Sequence, residues 1–187
     1  MNKTLLSAAL IAGFGVAAFT ANAANVSSGT ITITGNVVTS TCAVTVNGSA
    51  NPSVALPTID TGTLSANGSS AGWTAVTVTL TGCSAVGGVT KVTPYFWGSN
   101  INSTNGYLNN TSTGGSSAFV ALSNAQSTTG ALTLAGSYGA QNAGNGTLPT
   151  TGTATLTFPY FAGYVAPTGG ASAGAVNTSV NYYLVYN

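Results

Sequence analysis

The sequence predicts a single all-β sandwich domain, and three observations carry that expectation. Thr, Val, Ser, Asn and Gly fill the chain, with 25 glycines alone among 187 residues; β-branched residues favour strands, while Gly and Asn favour turns. Several stretches alternate apolar and polar residues at period two, as half-buried strands do. Helix signals are scarce, and Gly/Ser/Asn/Thr-rich loops separate the alternating stretches.

Taken in order, the chain begins with a segment that is not part of the sandwich. Met1-Asn2-Lys3 is a short positive start, Leu5 to Phe19 is apolar and rich in small residues, and Ala21-Asn22-Ala23 has the A-x-A form of a cleavage site. Together they read as a secretory signal peptide, residues 1–23. The alternative is an uncleaved anchor, but an apolar run of about 15 residues falls short of the roughly 20 that span a bilayer as a helix.

The strands are expected at Gly29–Val46, broken near Cys42, and at Trp73–Leu80, "WTAVTVTL". A third is expected at Val89–Trp97, where Pro94 argues for an edge or a bend. Further strands follow at Ala118–Leu122, Gly152–Tyr164 (also with an internal proline) and Val176–Tyr186, with a short piece at Ala131–Leu134. Loops are expected at 47–53, 66–72, 99–117, 135–151 and 166–175. No internal repeat and no linker marks a second domain.

Charge is nearly absent. Lys91 and Asp60 are the only charged side chains after Ala23, and the chain has no His, Arg or Glu. Nucleic-acid binding needs clustered Lys or Arg and is excluded on that ground. Acid–base catalysis usually needs His, Glu, Asp or a tuned Lys. A Ser–Lys dyad at Lys91 is the one catalytic arrangement open to the sequence, against a Lys on a solvated strand face. No ligand cluster for a metal and no phosphate-binding glycine loop is present, so no cofactor is expected. Asp60 in "PTIDTG" reads as a turn residue bonded to its own backbone. Trp73, Trp97 and the tyrosines could form a sugar-binding surface or simply core. A net charge near zero weakens the repulsion that keeps molecules apart, which suits a subunit that assembles.

Secretion places Cys42 and Cys83 in an oxidising compartment, where an intrachain disulfide is the default and two free thiols or a metal pair the alternative. Closing a loop of roughly 40 residues contributes about 4 kcal/mol in the loop-entropy account.

Four stretches, in order and spacing, resemble the major subunits of chaperone–usher pili of the type 1 fimbrial kind. They are "SGTITITGNVVTSTCAV" (Ser28 to Val44), "VALPTIDTGTL" (Val54 to Leu64), "WTAVTVTLTGC" (Trp73 to Cys83), and the tail from Ala154 to Asn187 with Tyr186 penultimate and Gly174 fourteenth from the end. The resemblance implies an incomplete immunoglobulin-like β-sandwich that lacks its last strand and is completed by a donor strand from another subunit. It implies an N-terminal donor extension at residues 24–35 and a pilin domain at 36–187. On that reading Gly29, Ile31 and Ile33 face a groove in the neighbouring subunit, with Gly29 at a point of close approach, while Thr30, Thr32 and Thr34 face out. Gly174, Tyr182, Leu184 and Tyr186 belong to the acceptor groove.

The implied partners are other copies of the subunit in a homopolymer, a periplasmic chaperone that first fills the groove, and an outer-membrane usher where exchange takes place. The implied location is the cell-surface fimbrium, reached through the periplasm, with host or abiotic surfaces as possible contacts. The implied function is structural, with no reaction performed. A minor tip or adaptor pilin with a weak carbohydrate- or receptor-binding role shares every motif and is the alternative. An adhesin of this family would carry an extra N-terminal lectin domain. The bland reading of Ile31 and Ile33 is a first strand paired within its own domain.

Overall fold

The computed structural model describes residues 30–39 and 42–187, and the chain divides between Asn36 and Val37 into two units. In the first, Thr30–Asn36 carries no regular secondary structure; Ile31 and Ile33 are 87% and 90% exposed. Gly29 and residues 1–23 lie outside the described residues.

Among its described residues the second unit holds seven strands: β1 (Ala43–Val46), β2 (Ser69–Cys83), β3 (Lys91–Trp97), β4 (Phe119–Ser123), β5 (Gly146–Thr147), β6 (Ala154–Ala166) and β7 (Asn181–Tyr186). They form two antiparallel sheets, ordered β1-β2-β6-β4 and β5-β3-β7. This agrees with the all-β sandwich expected from alternation and turn chemistry.

The core lies between the sheets, and period-two alternation builds it. Val76, Val78 and Leu80 of β2 face inward with Phe158, Tyr160 and Ala162 of β6; Val92 and Phe96 of β3 meet them from the other sheet. The Phe96 and Tyr160 rings join the sheets edge to face, centroids 5.4 Å apart. A register shift between Ala71 and Thr74 sets the inward phase of β2. Trp73 consequently lies on the outer face, across Gly163, where a Cβ would collide with the indole.

Both prolines sit where a ladder has room for them. Lys91 and Asn187 exchange backbone hydrogen bonds, so in the antiparallel ladder the odd residues of β3 bond to β7. Pro94, at an even position opposite Leu184, turns its nitrogen toward the β5 side, beyond the two residues that β5 pairs. Thr77 directs its amide and carbonyl at Asn47, so its partner Pro159 turns its nitrogen to the β4 side. There β4 has already ended, at Ser123 opposite Phe161.

Beyond β5, the exposed ladder of β3 is closed by a side chain. The Phe96 amide donates to Gln141 Oε1 (2.9 Å), and Gln141 Nε2 donates to the carbonyls of Phe96 (2.7 Å) and Leu134 (2.8 Å). Gln141 is 2% exposed, so its amide stands in for a strand in a place that water does not reach.

The Cys42–Cys83 disulfide forms, with a sequence separation of 41, and ties the start of β1 to the end of β2. Asp60 caps the 3-10 turn Thr61–Leu64 by accepting from the Gly62 amide at 2.7 Å. Lys91 is exposed at the start of β3.

Several expected boundaries move. The first strand is laddered only over Ala43–Val46, and Thr30–Thr39 carries none. Ala131–Leu134 is not a strand; Ala131 makes a single bridge to Ser123, and the Leu132 amide bonds to the Leu122 carbonyl. β5 falls inside an expected loop, because two residues are too few to show a period. The ladder of the last strand starts at Asn181, not Val176.

Replacing Gln141 by Leu strands the buried Phe96 amide, and we expect a loss of about 1–3 kcal/mol. The midpoint of thermal unfolding should fall by about 2–4 °C for each kcal/mol, measured by circular dichroism. The Tyr160 hydroxyl donates to the Ala143 carbonyl, and burial holds its phenol well above the ordinary range. The fold therefore prefers neutral Tyr160, so its contribution is intact below the unfolded value of about 10 and is lost as pH rises further. Urea unfolding at increasing alkaline pH should show that loss. Tyr160→Phe should start about 1 kcal/mol less stable at neutral pH, for want of the hydrogen bond, and should show a flatter alkaline decline.

Candidate functional site: an open groove at the sandwich edge

A groove of about 770 Å³ opens at one edge of the sandwich. Its floor is core side chains, among them Val46, Val76, Val78 and Leu122. One wall is residues 52–56, where Pro52, Val54 and Leu56 are half-buried while Ser53 and Ala55 are exposed. The other wall is residues 176–182, where Val176, Thr178, Val180 and Tyr182 are half-buried and the residues between are exposed. Each wall is an extended chain with period-two alternation, and the two face one another across a gap.

Ladder phase shows what the gap leaves open. The odd residues of β7 bond to β3, so the even ones, Tyr182 and Leu184, turn their amides and carbonyls to the opposite edge. Upstream of β7, among the described residues, the backbone of the chain is held from its β3 side. The Asn177 carbonyl accepts from the Thr111 amide at 2.8 Å, and Ser179 accepts from the Asn100 side chain at 3.3 Å. Among the described residues no strand pairs with β7 on its open edge. No backbone–backbone hydrogen bond among them involves residues 52–58. Backbone groups in such a position require a partner or water.

The floor of the groove is apolar, while Asn51, Asn177, Thr178, Ser179 and Asn181 contribute polar groups along its walls. The Tyr182 hydroxyl donates to the Ala50 carbonyl at 3.2 Å, tying one wall to the turn beside the other. Thr178 Oγ1 is buried and finds no partner among the described residues. Among the described residues no cluster of His, Cys, Asp and Glu could hold a metal ion.

The structure brings together only part of the set expected here. Tyr182 lines the groove. Leu184 and Tyr186 continue the same face and lie half-buried against the main core. Gly174 does not line it. Its φ is +148°, and a Cβ there would come within 2.6 Å of the Ser116 amide nitrogen, so this glycine permits two loops to meet at the start of the last segment.

Sequence reasoning missed the opposite wall, which it left partly in a loop, although the alternation of Pro52, Val54 and Leu56 was there to be read. Val37 falls in the same phase as Ile31 and Ile33 and is 99% exposed, with Gly35 between. Gly29, the remaining member of that set, lies outside the described residues.

Comparison with known proteins matches this geometry to a family. The family described as FimA, type-1 fimbrial protein A, matches residues 56–187. The F17 fimbrial protein of Escherichia coli is 38% identical over 162 residues, covering 84% of this chain and 87% of that protein. The major fimbrial subunit SMF-1 of Stenotrophomonas maltophilia is 36% identical over 168 residues, covering 88% of this chain and 96% of that protein. Among solved structures, the P pilus rod subunit PapA superposes with a TM-score of 0.52 at 20% identity, over 86% of this chain and all of that one. An antigen and type I fimbria protein of Burkholderia pseudomallei superposes with the same score at 21% identity, over 79% of this chain and all of that one. Those two likenesses give the fold, an immunoglobulin-like pilin sandwich. The sequence matches give the relationship: this chain is a fimbrial subunit of the type-1 fimbrial protein family.

Proposed function

We propose that this chain is a structural subunit of a surface fimbria that polymerises by donor-strand exchange, performing no reaction. The observation that carries the reading is the pair of extended walls, without ladder partners on their facing edges among the described residues, on either side of an apolar floor. A strand laid between them would bond to the open edge of β7 and cover the floor, by the physics of β-strand addition.

The donor is the N-terminal extension of a neighbouring copy, beginning at residue 24 after removal of residues 1–23 and carrying Gly29, Ile31 and Ile33. Val37 extends the same row. Each buried Ile contributes roughly 1.5–3 kcal/mol, and the acceptor domain, residues 36–187, gains the ladder it lacks. Tyr182, Leu184 and Tyr186 form the acceptor side, while Gly174 shapes the approach to it. Before assembly the groove needs a temporary strand, which is the role of a periplasmic chaperone; the exchange takes place at an outer-membrane usher, and the product is a fimbrium at the cell surface that supports adhesion. The near absence of charge favours the abundant, repeating subunit over a minor tip or adaptor, because identical charges would repel at every repeat.

The test uses a chain shortened to begin at Ser40 and a synthetic peptide spanning residues 24–39. A ligand that binds only the folded state raises stability by about 2.7 kcal/mol at a hundred times its Kd, so the unfolding midpoint should rise by about 5–10 °C. Ile31→Asp in the peptide should remove the rise. A shortened chain already stable, with a midpoint the peptide does not move, would show a sandwich complete without a donor and would end this reading.

A further inference from the structure

A second cleft, of about 280 Å³, lies between β6 and the segment that leads into β5. The sheet order puts β5 and β7 at opposite edges, so this cleft stands away from the groove. Leu156 and Phe158, inward residues of β6, supply its apolar part.

One side of the cleft is the stretch of β6 that β4 leaves uncovered, since β4 ends at Ser123 opposite Phe161. Thr77 turns its amide and carbonyl to Asn47, so ladder phase turns the odd residues of β6 away from β2. The Thr157 amide and the carbonyls of Thr157 and Pro159 therefore point into the uncovered strip, where no backbone partner among the described residues meets them. The other side is residues 143–146. The Tyr160 hydroxyl holds them through the Ala143 carbonyl, and Asn124 Nδ2 donates to the Asn142 carbonyl at 2.8 Å. Asn124 and Asn145 are exposed at the rim. Asn124 Oδ1 and the whole Asn145 amide face outward without a hydrogen bond among the described residues.

The chemistry of this lining selects among ligands. No lining residue is charged. Lys91 stands opposite Thr147, beside the cleft, but its side chain lies on the outer face in phase with Thr93, Tyr95 and Trp97. An ion buried here finds no counter-charge. An added strand needs an amide at every second position, and Pro159 has none. A neutral ring bearing hydroxyls fits both halves of the lining. Each hydroxyl donates and accepts, so it serves the Thr157 amide and the two carbonyls alike, while the C–H face of the ring covers Leu156 and Phe158. The volume lies just under the roughly 300 Å³ at which sites for drug-sized ligands begin, which suits one ring.

We propose that this cleft binds a single ring of a neutral polysaccharide and is displayed once per subunit along the fibre. The proposal rests on membership of the fimbrial family and is independent of donor-strand exchange. A ring of about a dozen heavy atoms binds in roughly the millimolar range, and a row of such sites engaging one chain gains about a hundredfold or more by multivalency.

The test maps the site by nuclear magnetic resonance on the full chain, with the 24–39 peptide added to fill its groove. Methyl glycosides of glucose, galactose and xylose are titrated in turn. At least one should shift the amide signals of Asn145, Gly146 and Thr157, saturating in roughly the millimolar range. Asn145→Ala should weaken that binding about threefold to tenfold, for want of one hydrogen bond, with the unfolding midpoint unchanged. Asn145→Trp, which fills the mouth of the cleft, should abolish it. Shifts centred on Trp97, Tyr138 and Tyr183, or on Val180 and Tyr182 of the groove, overturn the assignment, and so does the absence of any shift. Glycerol acting on the same amides at the same concentration would mark a cavity open to any small polyol and overturn a sugar site. Fibres should bind an immobilised polymer of the active sugar (dextran, a galactan or a xylan) at about a hundredfold lower concentration than single chains do. Equal binding by fibres and single chains would mean that only the free ring is taken and would overturn the polysaccharide. A 24–39 peptide that fails to stabilise the shortened chain ends the donor-strand reading and leaves these shifts unaffected, so the two readings fall separately.

Discussion

The structure depends on backbone hydrogen bonding left incomplete along one line. Among the described residues no strand pairs with β7 on the side away from β3, where Tyr182 and Leu184 turn their amides and carbonyls, and residues 52–58 have no backbone ladder. A folded domain ordinarily closes such an account within itself, because an unpaired amide away from water costs about as much as a lost hydrogen bond. Here the walls stay apart, the floor between them is apolar, and the rest of the molecule is arranged to hold that opening in shape. The disulfide ties β1 to β2 under one wall, the 100–111 loop braces the other through Asn177 and Ser179, and the Phe96–Tyr160 contact joins the two sheets behind it. The domain is thus rigid around a defect.

How far the sequence reveals this differs by element. Long alternating strands announce themselves, because one face meets the core and the other does not; β2, β3 and β6 are of this kind. β5 has two residues and no period to show. Residues 52–56 do alternate, but with Pro, Ser and Ala among them they lack the β-branched density that marks a strand, and among the described residues they have no ladder partner to make them one. The groove residues were legible only in part. Tyr182 follows from the phase of the last strand, whereas the glycine at 174 turns out to serve the approach of two loops, a task set by tertiary contacts that no local pattern encodes. Ile31 and Ile33 show their period plainly. What the period cannot say is whether their partner is their own domain, and that is why the opposite wall had to be seen before the row could be given a destination.

The scarcity of charge acts on several levels at once. It removes the usual equipment of catalysis and of nucleic-acid binding. It leaves stability to apolar burial, the disulfide and uncharged hydrogen bonds such as those of Gln141, which salt screens little. It also permits close repetition of one surface, since identical copies in register would otherwise multiply every like-charge contact.

The two prolines have a consequence for the shape of the assembly. Strand addition needs an amide at every second position of the receiving edge, and Pro94 and Pro159 remove one from each of the two ladders that run out of partners elsewhere in the sandwich. Gln141 occupies the next position along β3. Those two stretches are thereby poor receivers, whereas no proline interrupts the β7 edge. On the donor-strand reading proposed above, the monomer has, in the language of polymer chemistry, a functionality of two, one head and one tail. Such monomers can only grow into unbranched threads, whereas a third reactive edge would have produced a network.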